Sequence, residues 1–250
     1  MIKHCKEKVH EEGFCTKHYN EIIKKVNGNL KKEYSIQEKE EISTKAQFFL
    51  HSILIHVDKF TNSLVTSFSN LFNLSKNETA EVYRQVSNKL IQKSDNKKVI
   101  PILKKIVQLN SNDTDSKFQL GSVYLSEGQY EKAIDCFEDA IKLNPDNHNY
   151  YFKIGFAYEQ NDHLDEAISS YNKALKVNPD DSEAYYRLGV IYDDKEKYDE
   201  AIASFTKSVE LNPKQANYYN SLGYAYESLD RHKDAVKCYK KAVSLQNAVL

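Results

Sequence analysis

Four glycines, Gly121, Gly155, Gly189 and Gly223, recur every 34 residues, each inside the same apolar pattern. A period of this length restricts the fold more than any other feature, because it means stacked supersecondary units rather than one closed core. The second unit reads Tyr151, Ile154, Gly155, Tyr158, Ala167, Tyr171, Ala174 and Pro179, and the units on either side repeat it with few changes. Within each unit the apolar residues fall three and four apart in two blocks, which is the spacing of a helix face and not the alternation of a strand. Each unit is therefore predicted to be two helices. Asn144-Pro145, Asn178-Pro179 and Asn212-Pro213 end the second helix, since the residue before proline is pushed out of the helical region. Asp113, Asn147 and Asp181 then stand where the next first helix needs a cap. A glycine inside a helix costs about 1 kcal/mol against alanine. Four at one phase therefore imply an offsetting close approach, with Ala133, Ala167, Ala201 and Ala235 as the small residues opposite.

This pattern resembles the tetratricopeptide repeat, which runs aromatic, Leu-Gly, Tyr, Ala, Phe or Tyr, Ala, Pro over its repeat length. The departures are Lys117 for the first aromatic, Ser208 for an alanine and Asn247 for the last proline. The resemblance implies an all-α fold, a right-handed helical-repeat superhelix (α-solenoid) of antiparallel helix pairs. It divides the chain into repeats at 114–147, 148–181, 182–215 and 216–250. The segment 80–113 keeps the phase with an eroded signature, aligning Leu109-Asn110 with Leu143-Asn144 without a gap, and reads as a degenerate repeat. There Pro101 is expected in the first turn of the second helix, where a missing amide donor is tolerated.

Residues 29–79 read as a helical N-terminal region, with neither glycine nor proline between Asn29 and Val99. An apolar stripe runs there through Ile42, Ala46, Phe49, Ile53, Val57, Phe60, Leu64, Phe68 and Leu71. Residues 1–28 hold Cys5, His10, Cys15 and His18, a set suited to one tetrahedral zinc, with His4 competing for the place of His10. Their surroundings look like the Gly-x-Cys-x-x-His-Tyr knuckles at the ends of some bacterial and phage proteins, and the alternative is a charged, flexible tail. The only cofactor expected is this structural zinc. Protein purified without chelator should then carry one zinc per chain, lost in Cys15→Ser; metal analysis returning none leaves the tail.

Composition narrows the function. No secretory signal opens the chain, and its longest apolar run, Phe48 to Val57, is too short to span a bilayer, so the reading is a cytoplasmic protein with no membrane span. Residues 1–113 carry 19 Lys+Arg against 13 Asp+Glu, net +6, and residues 114–250 carry 16 against 23, net −7. Cys136 and Cys238 share the phase of Ser170 and Ser204, which reads as small packed residues rather than a disulfide. No phosphate-binding glycine loop, Gly-x-Ser-x-Gly elbow or His-Glu-x-x-His pair is present, so the chain is read as a non-enzyme.

The resemblance implies a protein-interaction scaffold that holds a partner's peptide segment in the concave groove of the first helices. Two alternatives stay open: a zinc-knuckle nucleic-acid binder using the repeats for assembly, disfavoured because its lysines are interleaved with glutamates, and a self-associating protein joined through the C-terminal repeat, where Ala248-Val249-Leu250 lack a covering helix. The groove stripe is expected at the second, fifth, ninth and twelfth positions of each first helix. It reads Phe118 in the first strong repeat; Asn149, Phe152, Phe156 and Glu159 in the second; Glu183, Tyr186 and Asp193 in the third; and Asn220, Tyr224 and Glu227 in the fourth. Such a stripe suits an apolar peptide with basic residues, although several of these rings could equally pack between neighbouring repeats. The family's carboxylate clamp, which grips acidic C-terminal tails, has only a partial counterpart in Arg84, Asn88 and Lys153.

Overall fold

The structure is a computed structural model that describes residues 74–247 together with Thr66, Ser69 and Asn70. The Cys5, His10, Cys15 and His18 set, the apolar stripe that begins at Ile42, and Ala248-Val249-Leu250 lie outside the described residues. Among the described residues every regular element is a helix. In order they are α1 (Lys76–Gln92), α2 (Asn96–Leu109), α3 (Thr114–Ser126), α4 (Tyr130–Leu143), α5 (His148–Gln160), α6 (Leu164–Val177), α7 (Ser182–Asp194), α8 (Tyr198–Leu211), α9 (Ala216–Ser228) and α10 (His232–Asn247). The described residues fall into two compact units, divided between Val123 and Tyr124. None of the described helices is long and apolar enough to cross a membrane.

In the first unit α1 packs on α2. Ser75 and Glu78 close a capping box over the start of α1, each side chain accepting from the other's backbone N–H. Val86, Leu90, Val99, Leu103 and Ile106 are fully buried. Pro101 is the sixth residue of α2, not in its first turn, because α2 begins at Asn96 behind the Asp95 cap, the same phase at which the other second helices begin. The helix forgoes one amide donor there and continues.

In the second unit the helices pack in chain order, α4 on α5, α5 on α6, and so to α10, and the first helix α7 also touches the first helix α9. α4, α6 and α8 stop at Asn144, Asn178 and Asn212, whose extended or near-extended backbone carries each proline out of the helix. The Asn147 carboxamide oxygen accepts from Asn149 N, and Asp181 Oδ1 accepts from Glu183 N and Ala184 N, all at 3.1 Å. α3 is capped in the same way by Asp113, which accepts from Ser116 N at 3.0 Å. Cys136 is half-buried and Cys238 buried within their helices.

The turn inside every pair is made one way. Ser94, Gly128, Asp162, Glu196 and Asp230, spaced one repeat apart, all have φ between 56° and 69°. After each, an amide reaches back to the carbonyl five residues earlier, as from His163 to Tyr158 and from Lys197 to Tyr192, at 2.9 and 2.8 Å. The eroded 80–113 segment thus shares the turn of the strong repeats. Only Gly128 meets this left-handed requirement without a Cβ penalty. Glu196→Gly is therefore expected to stabilise the third pair by up to about 1 kcal/mol, read as a raised denaturant midpoint. Glu196→Val should lower it.

Three of the repeat glycines, Gly155, Gly189 and Gly223, face aromatic rings of the paired second helix. A Cβ on Gly155 would lie 2.9 Å from the Tyr171 ring, on Gly189 2.5 Å from Phe205, and on Gly223 2.5 Å from Tyr239. The close approach inferred from helix cost is thus an approach of ring to backbone, and Tyr171 and Phe205 are 0% and 1% exposed as a result.

Candidate functional site

Within the second unit α5, α7 and α9 present the residues of the expected stripe. Phe152 tilts against Tyr171, with ring centroids 5.3 Å apart. Tyr186 stacks on Tyr218 of the next repeat at 4.7 Å and tilts on Phe205 at 5.7 Å. Both rings are partly buried against the cores of their pairs, so Phe152 and Tyr186 serve packing as well as surface. Tyr224 differs: it meets Tyr239 edge-on at 5.5 Å and is 61% exposed. Asn149 is exposed and Asn220 half-buried.

The carboxylates of this face are held by groups the stripe does not include. Tyr171 donates its hydroxyl to Glu159 Oε2 at 2.5 Å, and Tyr218 donates to Glu183 Oε2 at 2.8 Å. Between them Arg187, at the sixth position of α7, donates Nη1 to Glu159 Oε1 at 3.1 Å and Nε to Glu183 Oε1 at 3.0 Å. Its guanidinium also lies 5.1 Å from the centre of the Phe156 ring, within cation–π range. The chain thus supplies from itself the cation that Glu159, Glu183 and Phe156 would offer a ligand. Burial, then the Glu159 hydrogen bond and charge, raise the Tyr171 pKa strongly, so its hydroxyl stays a donor. Burial opposes the Arg187 charge, yet Glu159 and Glu183 outweigh it and raise that pKa too.

One repeat later the arrangement changes. The twelfth position of α9 repeats the tyrosine–glutamate pairing, with Tyr239 donating to Glu227 Oε2 at 2.8 Å. In α7 that position is Asp193, and its paired second helix carries Phe205, which has no hydroxyl to give. The residue of α9 equivalent to Arg187 is Ser221, too short to reach a carboxylate as the arginine does, and it lies 3.4 Å from the Tyr186 hydroxyl. Asp193 Oδ1 is consequently buried without a hydrogen-bond partner. Burial, reinforced by Asp194, holds this carboxyl above the ordinary carboxylate range.

A cavity of about 360 Å³ opens between the starts of α5 and α7. It is lined by the stripe residues Asn149, Phe152 and Glu183 together with His148, Asp180 and Asp181. Its wall is acidic, with His148 Nε2 3.8 Å from Asp181 Oδ2.

Phe118 and the clamp residues Arg84 and Asn88 belong to the first unit. Phe118 is half-buried on α3 and Asn88 exposed on α1. Arg84 ion-pairs with Glu81 and, through Nη2 at 2.5 Å, with the buried Asp113. Lys153, in the second unit, is half-buried on α5. Sequence reasoning missed Arg187 because it read only the stripe itself; the signal was a basic residue at the same phase in consecutive repeats, Lys153 and Arg187.

Profiles of the TPR repeat match residues 121–162, and profiles of the tetratricopeptide repeat match 152–215 and 216–248. No curated protein matches the sequence. Among solved structures, MamA is similar at 28% identity and TM-score 0.62, over 65% of this chain and 95% of that one. MamA from Desulfovibrio magneticus RS-1 is similar at 25% identity and TM-score 0.63, over 68% and 96%. YrrB, a TPR protein with an unusual peptide-binding site, shares the fold at 23% identity and TM-score 0.56, over 67% and 87%.

Proposed function

This chain belongs to the tetratricopeptide repeat family, and from that premise we propose that it is a non-catalytic cytoplasmic scaffold whose first-helix face binds an extended peptide of a partner protein. The peptide carries apolar side chains and at least one lysine or arginine. Asp193 carries this reading: its buried Oδ1 has no partner at the twelfth position, where one repeat earlier Glu159 is answered by Arg187. A ligand ammonium or guanidinium beside Asp193 would complete α7 and α9 as Arg187 completes α5 and α7. Apolar side chains would lie on the exposed Tyr224 ring, and the acidic cavity beside Phe152 would take a further basic or polar side chain.

Selection from a random peptide library on the full chain tests this. The expected winners hold a basic residue between apolar ones, and Asp193→Asn should weaken them roughly tenfold, the size of a charged hydrogen bond, while Arg84→Ala leaves them unchanged. Binding should also fade as pH falls through a value above the ordinary carboxylate range, because protonating Asp193 removes the charge that attracts the cation. Peptides with acidic C-termini that depend on Arg84 and Lys153 would establish the clamp instead.

A further inference from the structure

The second helix of each interior repeat shows two aliphatic side chains to the next first helix, which covers them. On α8 these are Ile202 and Val209, each 9% exposed and clustered with Tyr218, Leu222 and Ala225 of α9. On α6 Leu175 is likewise 9% exposed and packs with Ala184, Leu188 and Ile191 of α7. The equivalent residues of α10, Val236 and Val243, are 49% and 53% exposed.

The rim of these seams has its own charge rule. Asp165 on α6 binds Lys195 Nζ, at the end of α7, at 2.7 Å, and Glu131 on α4 accepts from Asn161, at the end of α5, at 3.2 Å. In these two seams an acid at the start of the second helix thus meets a donor from the following first helix. In α10 that acid is replaced by Lys233, and two turns on Lys240 stands where α6 has Asn172 and α8 has Thr206. Arg231 and Lys237 both pair with Asp234, whereas among the described residues no ion pair involves Lys233 or Lys240.

We infer that the outer face of α10 is a docking surface for an acidic amphipathic helix of a partner protein, which covers Val236 and Val243 and places a carboxylate against Lys233. Among the described residues no face of a second copy fits. Two α10 faces laid together bring Lys233 and Lys240 of both copies into one interface, and like charges there are destabilising. The first helices α5, α7 and α9 bring Asn161, Lys195 and Leu229 to the facing position, none of them an acid. Glu127, after α3, is an acid at that position, but Leu120, Val123 and Tyr124 of that segment are already 4–7% exposed, so its apolar face is not available.

This surface is independent of the peptide face, and its test uses two fluorescent peptides. Both have the sequence of residues 182–196, whose apolar residues already pack against a second helix, one with Lys195 kept and one carrying Lys195→Glu. Titrated into the full chain, the glutamate peptide should bind about fivefold more tightly, which is what an exposed ion pair contributes. The preference should reverse on Lys233→Glu, and both peptides should lose affinity on Val243→Asp, an exposed change that leaves the fold intact. Asp193→Asn should alter neither titration, which separates this surface from the peptide face. The inference is overturned by no binding of either peptide, by binding indifferent to Val243→Asp, or by a preference indifferent to Lys233. A dimer in sedimentation that Val243→Asp dissolves would place a second copy on the face and overturn it equally.

Discussion

Replacing Gly189 by leucine is expected to unfold the middle of the second unit, with a loss exceeding about 3 kcal/mol. Even alanine should be costly there. Its Cβ would sit 2.5 Å from Phe205 Cδ1, and that ring is 1% exposed, between Tyr186 and its own helix. The helix gains about 1 kcal/mol from losing a glycine, so a net loss of about 1–2 kcal/mol is expected for Gly189→Ala. Gly155→Ala should cost less than Gly189→Ala: the approach to Tyr171 is 2.9 Å, so the buried ring has less far to shift, and the propensity gain offsets part of that. At Gly223 the approach is again 2.5 Å, but the opposing Tyr239 is half-exposed and can swing outward at the cost of its bond to Glu227. Denaturant midpoints should therefore fall most for Gly189. A repeat array is a chain of nearest-neighbour couplings, so damage to this central pair also removes its interfaces with α6 and α9. Circular-dichroism melts unchanged by Gly189→Leu would contradict the ring-on-glycine packing. Phe205→Leu in the same chain should recover part of the loss by vacating the ring's space.

The features readable in the sequence are those where one backbone requirement admits few residue types. Glycine at a close helix approach, proline after the second helix and Asp or Asn before the first are of this kind, and the structure uses each, except that Gly155, Gly189 and Gly223 meet the rings of Tyr171, Phe205 and Tyr239 rather than the alanines expected opposite them. The turn residues were not readable in that way. Ser94, Asp162, Glu196 and Asp230 adopt the same left-handed conformation as Gly128 because the two packed helices and the amide reaching back five residues impose it, and a glutamate gives no local sign of that strain. Pro101 was placed a turn too early for a related reason: the start of α2 is set by the Asp95 cap, not by the proline.

For the site, the stripe reads Phe152, Phe156, Tyr186 and Tyr224 as groove residues, but a periodicity of backbone positions does not say how far a side chain can lean. Arg187 projects from the next position round the helix and is long enough to return across Glu159, Glu183 and Phe156. The pairing of Tyr171 with Glu159 and of Tyr239 with Glu227 joins a second helix to its own first helix. That rule becomes visible only when the two positions are read together, and it is what singles out Asp193 opposite Phe205.

Arg187→Met is the second substitution expected to have a large effect, and its size tests whether this arginine is a structural cation or an ordinary surface residue. Glu159 is only 13% exposed, and the arginine, at 29%, is the cation paired with it. Without Arg187 the carboxylate keeps the Tyr171 hydroxyl but loses its compensating charge, and Glu183 loses a bond as well. Breaking one side of a fully buried pair costs about 3–5 kcal/mol; because this site is partly open to water, a loss of roughly 2 kcal/mol is expected, with methionine preserving the contact on Phe156. Glu159→Gln should cost less, since an amide oxygen still accepts from Tyr171 and no buried charge is left over. If the network works as the distances suggest, the double variant should be more stable than the sum of the single losses predicts, by about 1 kcal/mol. Lys195→Met serves as the control, because its partner Asp165 is 83% exposed and water replaces the pair. Equal midpoints for the Arg187 and Lys195 variants would show that Arg187 stabilises no more than a surface lysine. The same variant bears on ligand choice: with Arg187 gone, Glu159 and Glu183 become a further anionic seat, so the gain in affinity from a second basic residue in the peptide should be larger in the variant than in the unaltered chain.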